Sequence, residues 1–225
     1  MLLQTASIAQ NGAQELEETY RQYIPLLQDV SMGGFFEDPP RYIQGNPRFL
    51  QAMFEPGQVM INGIVYSNVM LSYDIYSDVL ITFHPKFAKI SLRPGRVSAF
   101  TLADGSSFIH KESNPGFSQH NNGYYQLLLD DAVQVLVKHR KVAKQNPARA
   151  EYLEKFVTKT NYFIEKDHQI FPANNARQAI RILELERKDI RPQIRKQGLN
   201  YRIDPAAYLL FLGKHYSSNI SKKPQ

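Results

Sequence analysis

Between Gln58 and Arg140 the apolar residues of this chain recur at every second position, a period that specifies half-buried β-strands and rules out an amphipathic helix over the same stretch. Val65, Ser67 and Val69 alternate with Tyr66, Asn68 and Met70, and the run continues to Tyr73. After a turn at Tyr76-Ser77-Asp78 comes Val79-Leu80-Ile81-Thr82-Phe83. Phe87 to Leu92 leads through Arg93-Pro94-Gly95-Arg96 into Val97 to Leu102, and Asp104-Gly105 marks a two-residue hairpin before Ser107-Phe108-Ile109. Gly123 to Leu129 turns at Asp130-Asp131 into Val133 to Val137. A last hairpin is expected to join Asn161–Glu165 to His168–Phe171 across Lys166-Asp167. The sum is about nine or ten short strands, mainly antiparallel, at the spacing of a sandwich or partial barrel. Within it Tyr66, Val69, Leu71, Tyr73, Leu80 and Phe83 are the expected core.

Helices are expected on either side. Leu16, Tyr20, Ile24 and Leu27 recur at helical spacing over Gln14 to Gln28, with Glu15, Glu17 and Glu18 in the first turn and Pro25 as a kink or stop. From Ser31 to Pro56 turn dipeptides alternate with aromatics, which reads as an irregular segment pinned to the core. Asn174 is the expected cap of a helix carrying Ala176, Ala179, Ile180 and Leu183. Pro192 implies a break near Asp189-Ile190 with a second short helix ending at Gly198, and Asp204-Pro205 opens a third through Tyr216. The fold class is therefore α+β. One domain holds an N-terminal helix and irregular segment to residue 57, a β-rich core over 58–173, helices over 174–217, and a frayed tail over 218–225.

The chain has 225 residues, 43% of them apolar, enough for one sizeable core. It contains no cysteine, which excludes disulfides, thiolate metal sites, cysteine nucleophiles and a cysteine-linked lipid anchor. No apolar run reaches the 18 residues or so of a membrane-spanning helix. At the N-terminus a short apolar stub ends in Ser7-Ile8-Ala9, small residues spaced as signal peptidase reads them, so residues 1–9 are expected to be a signal remnant and the protein periplasmic or secreted.

Signatures of local enzyme chemistry are missing: no G-x-S-x-G, no H-E-x-x-H, no phosphate loop and no G-x-G-x-x-G. Asp74 and Asp78 form the best carboxylate pair, but in an unbroken strand they stand about 13 Å apart, beyond the about 5–9.5 Å of a glycosidase pair. A turn at Tyr76-Ser77 brings them closer and gives them backbone amides to bind. The six histidines show no metal-ligand pairing, so neither a metal nor a cofactor is expected.

Charge is uneven. The net charge is +6, with a balance of −3 over residues 1–112 and +9 over residues 113–225. Lys138, Arg140 and Lys141, with Lys144 beyond, and Arg187, Arg191 and Arg195 at helical spacing form a candidate surface for an anionic partner. Aromatics fall in the strands rather than among these cations, so nucleic acid is not the expected partner.

Gly45-Asn46-Pro47-Arg48-Phe49-Leu50, Gly57-Gln58-Val59, Asn62-Gly63-Ile64-Val65-Tyr66, Tyr73-Asp74, Asp78 and Leu80 form one ordered set of motifs. Gly123-Tyr124-Tyr125, Lys138-His139-Arg140-Lys141 and Tyr162-Phe163-Ile164 continue it. The order resembles an uncharacterised family of secreted, signal-peptide-bearing proteins from Bacteroidota, over residues 40–217. The resemblance implies export and carries no catalytic or binding residue with it. The segment from Lys144 to Thr158 and the proline at 192 depart from the pattern. The function expected is a non-enzymatic envelope protein, a binding or assembly component with an envelope protein, an anionic glycan or a lipid surface as partner. The alternatives are a periplasmic hydrolase with a site at the strand ends (Asp74, Asp78, His84, His110) and a barrel that carries a small ligand.

Overall fold

The alternating run forms one mixed, mostly antiparallel sheet in the computed structural model, which describes residues 33–50, 54–83, 88–112, 122–147 and 153–220. The expected signal remnant, the leading helix and His84 lie outside the described residues. Twelve strands take part: β1 (Gly34–Phe35), β2 (Ile43–Gln44), β3 (Glu55–Ile61), β4 (Ile64–Asp74), β5 (Val79–Phe83), β6 (Lys89–Ser91), β7 (Val97–Thr101), β8 (Ser107–Lys111), β9 (Gly123–Asp130), β10 (Gln134–Gln145), β11 (Glu154–Lys166) and β12 (Gln169–Pro172). Their order is β1-β6-β5-β4-β3-β7-β8-β9-β10-β11-β12, and β2 runs parallel to β11 at Ile43 and Gln44. Three helices follow: α1 (Ala176–Ile182), α2 (Arg187–Lys196) and α3 (Pro205–Ile220). The α+β expectation holds, and no described helix is long and apolar enough to cross a membrane.

Several boundaries differ from the sequence reading, each for a local reason. Strands begin before residue 57, because the 33–50 segment pairs at Gly34–Phe35 and Ile43–Gln44 instead of staying irregular. β10 and β11 run twelve and thirteen residues and pair without interruption from Gln134↔Glu165 to Gln145↔Glu154. Glu154 to Thr158, at the end of that polar stretch, are thus strand. The last two-residue turn is Asp167-His168, both at positive φ (51° and 60°). Asn175, not Asn174, caps α1, accepting the Gln178 amide at 2.9 Å. Pro192 sits inside α2 instead of breaking it, and α3 continues past Tyr216 to Ile220. Asp204 caps α3 as expected, accepting the Ala207 amide at 2.9 Å.

Alternation sorts the apolar side chains into separate cores. Tyr66, Val69, Leu71 and Tyr73 of β4 pack with Leu80, Phe100, Phe108 and Tyr124 into the first. Phe100 stacks on Phe108 with ring centres 4.8 Å apart, and Tyr73 meets both edge-on, so packed rings fill the centre. Phe83 departs from expectation: it is 37% exposed and leans on Phe54 at the sheet's surface. The second core lies under the helices, where Val133, Val135 and Ile164 meet Ile180, Ile190, Leu209 and Leu212. Gly213 permits that approach, since a Cβ there would stand 2.5 Å from a Leu129 methyl. On the opposite face of β9–β11, Tyr125, Leu136, Phe163 and Ile170 form a third cluster.

The sheet also curls. β4 and β10 are five places apart in the order, yet the Lys141 amide donates to the Ile75 carbonyl at 2.9 Å. The six strands from β4 to β10 thereby make a partial barrel, while the outer strands remain open: among the described residues no ladder joins β1 to β12.

Candidate functional site

The seam of this partial barrel holds two buried charged residues, Asp74 and Lys138. β9 and β10 pair only as far as Gln126↔Val137, after which β9 follows β8 and β10 follows β11. The turn between β4 and β5 fills the opening. Its Asp78 adopts positive φ (58°), a conformation that aspartate tolerates better than most residues. The carboxylate accepts from the Tyr73 hydroxyl at 2.5 Å and from the Lys138 ammonium at 2.6 Å. Lys138, fully buried on β10, also donates to the Tyr124 carbonyl at 2.9 Å and lies 5.0 Å from the centre of the Tyr125 ring. One ammonium therefore ties β10, β9 and the β4–β5 turn together. Gly123 makes the room: its φ is +142°, and a Cβ there would stand 2.0 Å from Asp78 Oδ2.

Electrostatics follow from burial. Desolvation pushes the Tyr73 hydroxyl well above its usual range, and Asp78 adds to the push. Tyr124 is raised for the same two reasons, and its buried hydroxyl has no hydrogen-bond partner among the described residues. Burial lowers the Lys138 ammonium, with Asp78 opposing the shift. His110 reaches this cluster only through its ring, 5.3 Å from Tyr124, and burial lowers it too.

Asp74 performs a different task from Asp78. Its Oδ1 accepts the amides of Tyr76 at 2.8 Å and Ser77 at 2.7 Å, the turn-binding role expected for it, while Oδ2 is buried with no hydrogen-bond donor among the described residues. Burial raises its carboxyl, and Arg48 and Lys141 counter the rise. Lys141 donates to the carbonyls of Asn46 at 2.5 Å and Arg48 at 2.6 Å, which fastens the 46–49 segment to β10. The structure thus groups Asp78 with His110 but gives Asp74 separate partners. Among the described residues no cluster of three or more His, Asp or Glu could hold a metal ion.

The candidate basic surface needs correction. Lys138 is enclosed and Lys141 is spent on carbonyls, because both sit where β10 meets the seam. Arg187, Arg191 and Arg195 are exposed along α2, but α2 belongs to the helical layer over Val135 and Ile164. Arg140 is at even parity on β10, so it faces away from Val135, and the two groups do not converge. Register reveals a different cluster: Lys144 stands directly opposite Lys155, and Arg140 opposite Lys159, on one face of the β10–β11 hairpin. Lys144, Lys155 and Lys159 are exposed and make no ion pair within the described residues. Sequence reasoning missed Lys155 and Lys159 because it left β11 short of them; valine and threonine at 157, 158 and 160 were the available strand signal. Compared with known protein families, with curated proteins and with solved structures, the chain finds no match.

Proposed function

We propose that this protein is a non-enzymatic, exported binding or assembly component of the cell envelope, and that the β10–β11 hairpin carries its binding surface. The observation behind this reading is the pair of like-charged rungs, Lys144 opposite Lys155 and Arg140 opposite Lys159. Like charges directly across a strand pair oppose folding. A surface that keeps them, with three of the four lysine and arginine side chains exposed, has use for an anionic partner. The Asp78–Lys138–Tyr73 cluster supports the same reading from the other side. Its donors and acceptors are bonded to one another across three strands, the arrangement of a structural clamp. Export rests on Ser7-Ile8-Ala9 and on the resemblance to secreted proteins of Bacteroidota.

Photo-crosslinking tests the binding surface. A photoreactive residue at Lys144 or Lys155 should give one recurrent protein adduct in cells of the source organism, and the same residue at Arg191 on α2 should not. Equal labelling from both positions, or none from the hairpin, would remove the hairpin from the function. N-terminal analysis of the native protein tests export, with a start at Gln10 expected and retained Met1 fatal to it.

A further inference from the structure

The edge of β11 is only partly used. Its first residues lie against β2, through Glu154↔Ile43 and Lys155↔Gln44, and its last four against β12, from Phe163↔Pro172 to Lys166↔Gln169. The Tyr162 carbonyl accepts the Ala173 amide at 2.8 Å, so residues of even number turn their main-chain groups away from β10. Thr158 and Thr160 therefore present their N–H and C=O groups outward. Both are exposed, and among the described residues no strand lies beside them. Such an open edge is a template for another chain.

The side chains beside this edge specify what kind of chain. Lys155 and Lys159 project on one face of β11, with Val157 between them and Lys144 across the hairpin. A strand laid along Thr158–Asn161 would set its own alternate side chains beside Val157 and Lys159 and diagonally within reach of Lys155. Acidic side chains there would neutralise the like-charged rungs. A lipid headgroup or glycan could meet the charges but would leave the main-chain edge unfilled.

Resting on the hairpin as the binding surface, we propose that the Thr158–Asn161 edge of β11 receives an extended acidic segment of a partner protein as an added strand. Main-chain hydrogen bonds supply the docking, and Lys155, Lys159 and Lys144 select the sequence.

A labelled nonapeptide of alternating glutamate and threonine with a central valine is the probe, read by fluorescence anisotropy on the full chain. It should bind, and binding should weaken by about tenfold in Lys155→Glu/Lys159→Glu and again on raising salt, since exposed pairs are screened. The decisive comparison leaves the protein untouched. N-methylating one alternate set of peptide amides should abolish binding, and methylating the other set should leave it intact. Equal binding by both methylated peptides, or charge-dependent capture of phosphatidylglycerol vesicles with no peptide binding, would overturn strand addition. So would a failure of the peptide to bind while Lys155→Thr/Lys159→Thr self-associates, because the lysines would then be guarding the edge. If hairpin crosslinks recur but the peptide is ignored, the binding surface stands and only its occupant is wrong.

Discussion

Lys138 stands where β10, β9 and the β4–β5 turn meet, bonded to Asp78 and to the Tyr124 carbonyl. Its ammonium is buried and its partner, Asp78, is sixty residues away. Asp78→Ala leaves that charge enclosed and unpaired, so a loss of about 3–5 kcal/mol is expected in chemical denaturation. A loss under about 1 kcal/mol would mean that water reaches the ammonium. His139 gives the molecule an acid sensitivity with a defined window. It lies against Phe49, accepts or donates one bond with Gln126 at 2.8 Å, and is held down to about 4 by burial, with Lys138 adding to the effect. The unfolded histidine takes up a proton near 6.5 and the folded one near 4, so its contribution to stability is complete above pH 6.5 and is lost as pH falls toward 4. Partial exposure limits the loss to about 1–2 kcal/mol. Melting temperatures of wild type and His139→Gln should converge between pH 7 and 4.5, and parallel curves would exclude His139 as the source. Asp74 was legible as a turn-binding carboxylate because its donors, the Tyr76 and Ser77 amides, lie two and three residues away. Asp78 was not, because nothing local signals a lysine on β10.

The same division between local and distant information governs the elements. Asp104-Gly105 and Asp204-Pro205 were readable as a hairpin turn and a helix start, but the hairpin loop is longer than the two residues expected: the ladder ends at Thr101↔Ser107, and the Leu102 amide donates to the Ser106 carbonyl at 3.0 Å. The lengths of β10 and β11 were not readable, because lysine and threonine say little about strand until a partner's register supports them. Pro192 misled for a related reason: proline disfavours a helix interior, but Ile190 buries against the helical core and holds α2 together around it. Without an amide, Pro192 cannot donate to the Lys188 carbonyl that an unbroken α-helix would offer it. Pro192→Ala should therefore raise stability, by about 1–3 kcal/mol. Unchanged or lowered stability would show that α2 is already bent to suit the ring.

At the scale of the molecule, the aromatic core and the helix-covered core are joined along the seam where β4 approaches β10. The joint is built from Lys141: its amide meets the Ile75 carbonyl, and its ammonium meets the carbonyls of Asn46 and Arg48. Phe49 then pairs through its amide with the Tyr73 carbonyl at 2.8 Å, and Ile75 with Pro47 at 3.1 Å. Burial lowers the Lys141 ammonium and Asp74 opposes that, so the charge is held at some desolvation cost by a few close acceptors. Lys141→Met keeps the length of the side chain and removes both donations, each of a kind that contributes about 1.5–3 kcal/mol. Since the seam is bordered by turns and exposed chain, it should open locally before either core unfolds. Hydrogen exchange at the amides of Phe49, Ile75 and Lys141 should accelerate by about tenfold for every 1.4 kcal/mol removed. The amides of Leu209, Leu212 and Val135, under the helices, should keep their protection until global unfolding. Acceleration spread evenly over both sets would mean that the seam and the helical core unfold as one unit, and that the curl of the sheet is a consequence of the packing around it rather than of Lys141.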